Sequence, residues 1–235
     1  MTEIDKYSVK GTVCLREDPS EYKYFLSIST IIFIIATSIN YVSGTYVSVA
    51  HTAHVPDLIL DHIGPVNVGF FYVYGYIILF SALFIYPGFF QIRTFHVVIT
   101  QFSLLIVLRA AFVALTHLGT PPDAIPVSFP WIFRGLHFEN DLFFSGHTAI
   151  PFLGFLLFKG PIRYFFLGGS ILMGVVVLLM HVHYSIDVLA AFFMTYCSYK
   201  IGNFLINKAE PLIIKRLRRR NSSPAVPFSR RAQNP

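Results

Sequence analysis

Long apolar runs alternate with short polar segments between residues 24 and 207 of the chain. A helix needs about 17 to 25 apolar residues to cross the hydrocarbon core of a bilayer, and these runs have that length. They cover residues 24–49, 68–90, 95–117, 141–158 and 164–180 and, after a tight turn near residues 181–183, a sixth stretch to about residue 206. The pattern predicts an all-α integral membrane protein, a bundle of six transmembrane helices.

The polar ends of the chain define its organisation. Residues 1–23 are polar and are expected to form a cytoplasmic N-terminal segment. Residues 208–235 are basic and rich in Ser, Pro and Asn beyond the basic cluster, so we expect a disordered cytoplasmic tail. All the predicted spans share one hydrocarbon layer, and residues 24–207 are therefore interpreted as a single six-span membrane domain.

Composition and charge narrow the class of protein. With 54% hydrophobic and 13% charged residues, the chain is too apolar to fold around one soluble core. Its net charge of +6 comes from Lys and Arg in the N-terminal segment, the short connections and the tail, so no nucleic-acid partner is expected. Because only Arg134 falls clearly on the opposite face, the positive-inside rule predicts a multi-pass protein with both termini in the cytoplasm.

Ionisable residues inside the apolar runs mark a candidate site. Arg109 lies within the third run, His147 at the start of the fourth, and His183 and Asp187 at the start of the sixth. An ionised side chain at membrane depth costs at least ~2.5 kcal/mol on the mildest scale, so such residues are functional by default. The predicted topology brings all of them to one extracytoplasmic level. Residues 24–207 are therefore expected to form a catalytic domain whose active site lies on the extracytoplasmic side.

The spacing of these residues suits the cleavage of a phosphoester. His183 and Asp187 are four positions apart and share one helix face, so the carboxylate can fix one imidazole tautomer and leave the other ring nitrogen reactive. His183 then acts as a nucleophile or as a general base, while His147 protonates the leaving oxygen. Arg109 can neutralise the non-bridging oxygens, and Gly146 lets backbone amides approach the phosphate at a helix N-terminus.

Two motifs resemble those of the sphingomyelin synthase family, the lipid phosphotransferase branch of the type-2 phosphatidic acid phosphatase superfamily. They are Asp141-x-x-x-Ser145-Gly146-His147-Thr148 and His183-Tyr184-Ser185-Ile186-Asp187-Val188, with weaker similarities at Pro56-Asp57 through Asp61 and at Arg109 through Thr116. The chain departs from the eukaryotic members at Glu139-Asn140, where those usually have Cys-Gly.

The resemblance implies specific roles for residues and a specific reaction. The family's catalytic triad falls on His147, His183 and Asp187, the phosphate-binding positions on Arg109, Ser145 and Gly146, and supporting positions on Asp141 and Tyr184. A phosphocholine- or phosphoethanolamine-type head group would pass from a glycerophospholipid donor to a ceramide or diacylglycerol-like acceptor in the bilayer. No cofactor is implied.

Two alternatives stay open. A lipid phosphate phosphatase of the same superfamily would bind a phosphate dianion with several cations, yet Phe144 stands where its motif has Pro, and Val177-Leu178 stand where it has Ser-Arg. So few cations suit a phosphodiester monoanion better. The second alternative is a non-catalytic lipid-binding membrane protein. The loop histidines, His51, His54, His62, His137 and His181, lack an accompanying Cys or carboxylate pattern, so no metal is expected.

Overall fold

The computed structural model describes residues 19–127, 129–130 and 141–222. Most of the expected N-terminal segment, Arg134 with its neighbours in 131–140, and the tail beyond residue 222 lie outside the described residues.

Helices account for nearly all of the regular structure. In chain order they are α1 (Pro19–Val49), α2 (Tyr76–Phe90), α3 (Phe95–Leu115), α4 (Gly146–Leu157), α5 (Pro161–Leu179) and α6 (Ser185–Ser222). A π-helical turn, Phe71–Gly75, leads directly into α2, and short 3₁₀ turns occupy Leu60–His62 and Ile92–Thr94. Within the described residues the extended structure is limited to one isolated parallel bridge, between Ala53 and Leu118.

The prediction of an α-helical membrane protein is confirmed. Within the described ranges, four stretches are long and apolar enough to cross a bilayer: Glu21–Val49, Phe71–Phe90, Ile92–Leu115 and Pro161–Leu179. Helix α4 is apolar but has only 12 residues, which is about 18 Å at 1.5 Å per residue. Helix α6 is long but contains Asp187, Lys200 and Asn203, which lower its hydropathy.

Two helices differ from the boundaries that hydropathy predicts. Helix α4 begins at Gly146 rather than near residue 141, because residues 141–145 form an irregular segment held by Arg109. Helix α6 does not stop near residue 206 but continues to Ser222. Its extension is rich in Leu, Lys and Arg, which favour helix, and its Ile214 packs on Phe25 near the beginning of α1.

Close packing of the helices fixes the frame that holds the site. Helix α1 packs along α3, α4 packs on α5 and α6, and α3 also contacts α6. Ser43 Oγ of α1 donates a 2.7 Å hydrogen bond to the Ala110 carbonyl of α3. Gly154 of α4 lies directly against the Phe166 ring of α5, so these two helices approach closely because one of them lacks a side chain there. The large fully buried side chains include Phe144, Leu153, Phe166 and Met173.

Candidate active site

Two loops and the starts of α4 and α6 meet at one end of the bundle. The Tyr184 hydroxyl donates a 2.9 Å hydrogen bond to the Gly119 carbonyl and accepts a 3.4 Å bond from the Val55 amide. Gly119 in turn donates to the Ala53 carbonyl at 2.8 Å. Tyr184 therefore joins the loop after α1 to the loop after α3, immediately before α6 begins. The resemblance implies a supporting position for Tyr184, and in the structure its hydroxyl bonds to these two loops.

Asp57 caps α6 from outside that helix. Its Oδ2 accepts hydrogen bonds from the Ser185 amide at 2.7 Å and from Ser185 Oγ at 2.8 Å. Its Oδ1 accepts from the amides of Ile59 and Leu60, at 2.9 and 3.1 Å. A negative charge at a helix N-terminus satisfies free N–H groups and interacts favourably with the helix dipole. Asp57 thus fixes the position at which α6, and with it Asp187, enters the bundle.

The hydrogen bonds to Asp57 also affect its ionisation. Burial of the carboxyl group by itself raises the pKa, but the bonds donated by Leu60, Ser185 and Ile59 outweigh that effect and lower the pKa of Asp57 below its ordinary value. Asp57 is therefore a stable anion at neutral pH.

His183 and Asp187 are in contact, although they do not share a helix. Helix α6 begins at Ser185, so His183 lies in the preceding turn rather than on the helix face that the spacing predicted. Its Nδ1 is nevertheless 3.4 Å from Asp187 Oδ2. The same oxygen accepts a 3.1 Å bond from the Tyr184 amide, and the Asp187 side chain is fully buried. The carboxylate is therefore fixed, and the Nε2 side of His183 is left for a ligand.

His147 lies in the first turn of α4 against two tyrosine rings. The centroids of Tyr72 and Tyr76 are each 4.2 Å from the centroid of the His147 ring. Tyr72 belongs to the π-helical turn before α2, and such turns occur frequently at functional sites. The ring centroids of His147 and His183 are 6.5 Å apart. Both imidazoles line the same cavity.

Ser145 and Gly146 take different positions. The Ser145 amide donates a 3.1 Å hydrogen bond to the Asp187 carbonyl, and the Ser145 side chain is fully buried, so it ties α4 to α6 and does not line the cavity. Gly146 does line the cavity. A Cβ atom at Gly146 would lie 3.4 Å from Arg109 Nε, so even an alanine would crowd the guanidinium.

Arg109 forms a tight ion pair with Asp141. Its Nη1 donates to both carboxylate oxygens of Asp141 at 2.8 Å, and its Nη2 donates to the Asp141 carbonyl at 2.9 Å. Its Nε donates to the Phe144 carbonyl at 3.0 Å. Most of the five N–H donors of the guanidinium are therefore used within the protein. Arg109 positions the segment before His147, and the Asp141 carboxylate largely balances its charge.

A cavity of about 720 Å³ connects these groups. Its polar end is formed by Arg109, Asp141, Gly146, His147 and His183. Its deeper part is apolar, with walls from α1, α2 and α3 that include Phe33, Phe80 and Phe102. Among the described residues that line it, Arg109 is the only Lys or Arg. The cavity therefore combines a polar end of low net charge with an apolar interior, as a lipid substrate requires.

Some of the site could not be read from the sequence. Tyr72 and Tyr76 were hidden among many aromatic residues, although their spacing of four places them on one face. The sequence did point to Asp57, because Pro56-Asp57 is one of the weaker similarities to the sphingomyelin synthase family. Its role as a cap of α6 could not be predicted, because it depends on a contact between residues 128 positions apart. Asn40, in the wall formed by α1, had no signal because it is an uncharged residue among the Ser and Thr residues of an apolar run.

The described residues show no metal-binding cluster, and no similar protein indicates the function. Within the described part of the chain, no three His, Cys, Asp or Glu side chains are grouped so that they could hold a metal ion. Comparisons with models of protein families, with curated proteins and with solved structures find no match to this chain. Function is therefore argued from the chemistry of the site.

Proposed function

We propose that this protein is a membrane phosphotransferase that moves a phospho-head-group from a glycerophospholipid to the hydroxyl of a ceramide or diacylglycerol-like lipid. The observation that carries the proposal is the arrangement of two histidines at the polar end of an apolar cavity, with one histidine held by a buried carboxylate. The resemblance of the two motifs to the sphingomyelin synthase family supports the same reaction.

His183 and His147 divide the proton transfers between them. His183 removes the proton from the acceptor hydroxyl, the oxygen of that hydroxyl forms a bond to phosphorus, and the bond from phosphorus to the glycerol oxygen breaks. His147 donates a proton to that glycerol oxygen, which leaves as the hydroxyl of diacylglycerol. Asp187, 3.4 Å from His183 Nδ1, stabilises the imidazolium that forms. In the covalent variant, His183 attacks phosphorus first and the acceptor then attacks the phosphohistidine.

The charge of the site favours transfer over phosphomonoester hydrolysis. A phosphodiester carries one negative charge, whereas a terminal phosphate carries nearly two at neutral pH. Asp141 already balances Arg109, and no other Lys or Arg among the described residues lines the cavity. A dianion would therefore meet little compensating charge in a site of low dielectric constant. A lipid phosphate phosphatase is the second candidate, because it would use the same pair of histidines.

The directions of the helices support an extracytoplasmic site in a six-span bundle with both termini in the cytoplasm. Helices α1 and α3 end, and α4 and α6 begin, at the end of the bundle that holds the cavity. The opposite end carries the basic connections, with Arg93 after α2, Lys159 and Arg163 after α4, and Lys215 on the α6 extension. Basic residues concentrate on the cytoplasmic side of membrane proteins.

The identity of the product tests the proposal. Purified protein in liposomes would receive phosphatidylcholine or phosphatidylethanolamine with a labelled head group, together with ceramide or diacylglycerol. We expect the label in a new phospholipid or phosphosphingolipid, with an equal amount of diacylglycerol released from the donor. Release of inorganic phosphate from phosphatidic acid, without head-group transfer, would instead identify a phosphatase. If no pair of lipids gives a product, the remaining explanation is a non-catalytic lipid-binding protein.

A further inference from the structure

Asn40 is a polar residue of α1 that neither the catalytic arrangement nor the packing of the bundle uses. Its side chain is half-buried and lines the cavity. The neighbouring Ser and Thr hydroxyls of α1 are all bonded, Thr37 and Ser38 within the helix, at 2.9 Å to the Phe33 and Ile34 carbonyls, and Ser43 to the Ala110 carbonyl of α3. No hydrogen bond from the Asn40 amide to another described residue is found. An amide without a partner in an apolar span costs free energy, so a ligand is a reasonable partner for it.

Asn40 lies at the same depth in the bundle as Arg109. Ser43 of α1 is bonded to Ala110 of α3, and the Phe33 and Phe102 rings of the same helices are 6.0 Å apart. Asn40 is seven positions above Phe33, and Arg109 is seven positions above Phe102. At 1.5 Å per residue, both polar side chains are about 10 Å above the aromatic floor of the cavity. Asn40 therefore lines the cavity from the α1 side at about the level of Arg109.

The side of the cavity next to Asn40 is formed by α1 and α2, and it is where we expect a lipid to enter from the bilayer. Helix α1 packs along α3, and α2 packs on α3 and α4, but α1 and α2 have little contact with each other in the described structure. Both helices nevertheless line the cavity, through Phe33 on one side and Ile77 on the other. Asn40 therefore lies on the side of the cavity where α1 and α2 are not packed together, and this is where we place the acyl chains of the acceptor.

We infer that Asn40 is a specificity-determining residue, which recognises the polar group next to the reacting hydroxyl of the acceptor lipid. This inference rests on the proposed function and refines its acceptor. A carboxamide has both N–H donors and a C=O acceptor, so it can pair reciprocally with a secondary amide. An ester can only accept. Asn40 therefore favours an amide-linked acceptor, of the ceramide type, over an ester-linked diacylglycerol, because a site built to hydrogen-bond a substrate group discriminates against analogues that lack it.

Replacement of Asn40 by leucine tests the inference, because the two side chains have the same number and branching of heavy atoms but leucine has no polar atoms. We expect the KM of Asn40→Leu for ceramide to rise about tenfold, the loss of one to two hydrogen bonds. The kcat for ceramide should change less than about twofold, and the KM for diacylglycerol should rise less than the KM for ceramide, because an ester loses only the bond that it accepts. Ser38→Leu is the matched control, since Ser38 is exposed on the same helix and bonds only to the Ile34 carbonyl. An equal change for both acceptors, or no change for ceramide, overturns the inference.

A binding measurement separates this inference from the proposed function. A photoactivatable ceramide would be crosslinked to the protein in lipid nanodiscs, with unlabelled ceramide or diacylglycerol as competitor. We expect ceramide to compete better than diacylglycerol with wild type and with Ser38→Leu, and this preference to disappear in Asn40→Leu. If wild type prefers neither competitor, or Asn40→Leu keeps the preference, Asn40 has no such role. Crosslinking needs no turnover, so it decides the role of Asn40 even if head-group transfer is not found.

Discussion

At the scale of single residues, two histidines and a carboxylate lie close together at one end of the bundle. His147 and His183 line one cavity, and Asp187 lies behind His183. Arg109 was expected to bind phosphate, yet its guanidinium is engaged by Asp141 and by the Phe144 carbonyl. Hydropathy and spacing identify a charge at membrane depth, but they do not reveal which of two partners compensates it. That choice depends on the irregular segment before α4, which has no periodic pattern.

The Arg109–Asp141 pair should contribute to stability. Asp141→Asn leaves the guanidinium partly uncompensated in the bundle, and we expect the free energy of unfolding to fall by about 3 kcal/mol. The thermal midpoint in detergent, followed by size-exclusion chromatography, would measure the loss. Asp123→Asn, at an exposed loop position, is the control. A double variant, Arg109→Leu with Asp141→Leu, should lose less than the sum of the single losses. If Asp141→Asn is as stable as wild type, the pair does not stabilise the fold, and the result would favour a role of Arg109 in binding substrate.

Asp57 should make stability depend on acidic pH. Because its pKa is lowered below the ordinary value of 3.8, its stabilisation is fully present above that pH and is lost as the pH falls through the lowered pKa of the folded state. Asp57→Asn should therefore lower the free energy of unfolding at neutral pH by about 2 kcal/mol, since charge-assisted bonds to the start of α6 are removed. The difference in thermal midpoint from wild type should shrink as the pH falls below the ordinary value of 3.8 and through the lowered pKa of Asp57. A difference that is the same at all pH values would show that the charge of Asp57 does not matter.

At the scale of helices, the apolar pattern predicted where helices exist better than where they end. Helix α5 contains Gly168, Gly169 and Gly174, and the structure places them in different surroundings. A Cβ atom at Gly169 would collide with Leu79 of α2, whereas a Cβ at Gly168 meets no atom within 4 Å. The pattern could not make this distinction, because adjacent glycines differ only in the direction they face.

The two adjacent glycines provide a matched test of helix packing. Gly169→Val should destabilise the protein by about 1 to 3 kcal/mol, because the new side chain must push Leu79 and α2 away. Gly168→Val adds the same atoms in open space and should leave the thermal midpoint nearly unchanged. Similar losses in both variants would indicate that helix propensity, and not the contact between α5 and α2, determines the effect.

At the scale of the whole molecule, the coarse class was readable from composition, whereas the number of spans was only partly accessible. Four stretches of the described chain meet the length and hydropathy of a membrane span. Helices α4 and α6 deviate for a physical reason, since α4 is short and α6 carries the polar groups that the bundle encloses, among them Asp187. The polar residues that form the candidate site also make its helices less apolar.

Cysteine labelling tests the proposed topology. In a background without Cys14 and Cys197, Leu58→Cys would place a thiol on the loop that follows α1, at a position that is 81% exposed, and Lys215→Cys would place one on the α6 extension. In intact cells or sealed oriented vesicles, a membrane-impermeant maleimide should label the first position from the extracytoplasmic side. The second should react only after permeabilisation. Labelling of both positions from one side would contradict the proposed six-span arrangement.

The most direct test of the central claim is head-group transfer by wild type beside His183→Asn and Asp187→Asn, with His62→Asn as a control on an exposed loop histidine. All four proteins would be compared in liposomes of donor and acceptor lipid, after size-exclusion chromatography has verified equal folding. We expect transfer by wild type and by His62→Asn, a fall of at least about 10²-fold in Asp187→Asn, and none in His183→Asn. Normal transfer by folded His183→Asn would contradict the claim that this histidine and its carboxylate carry the chemistry.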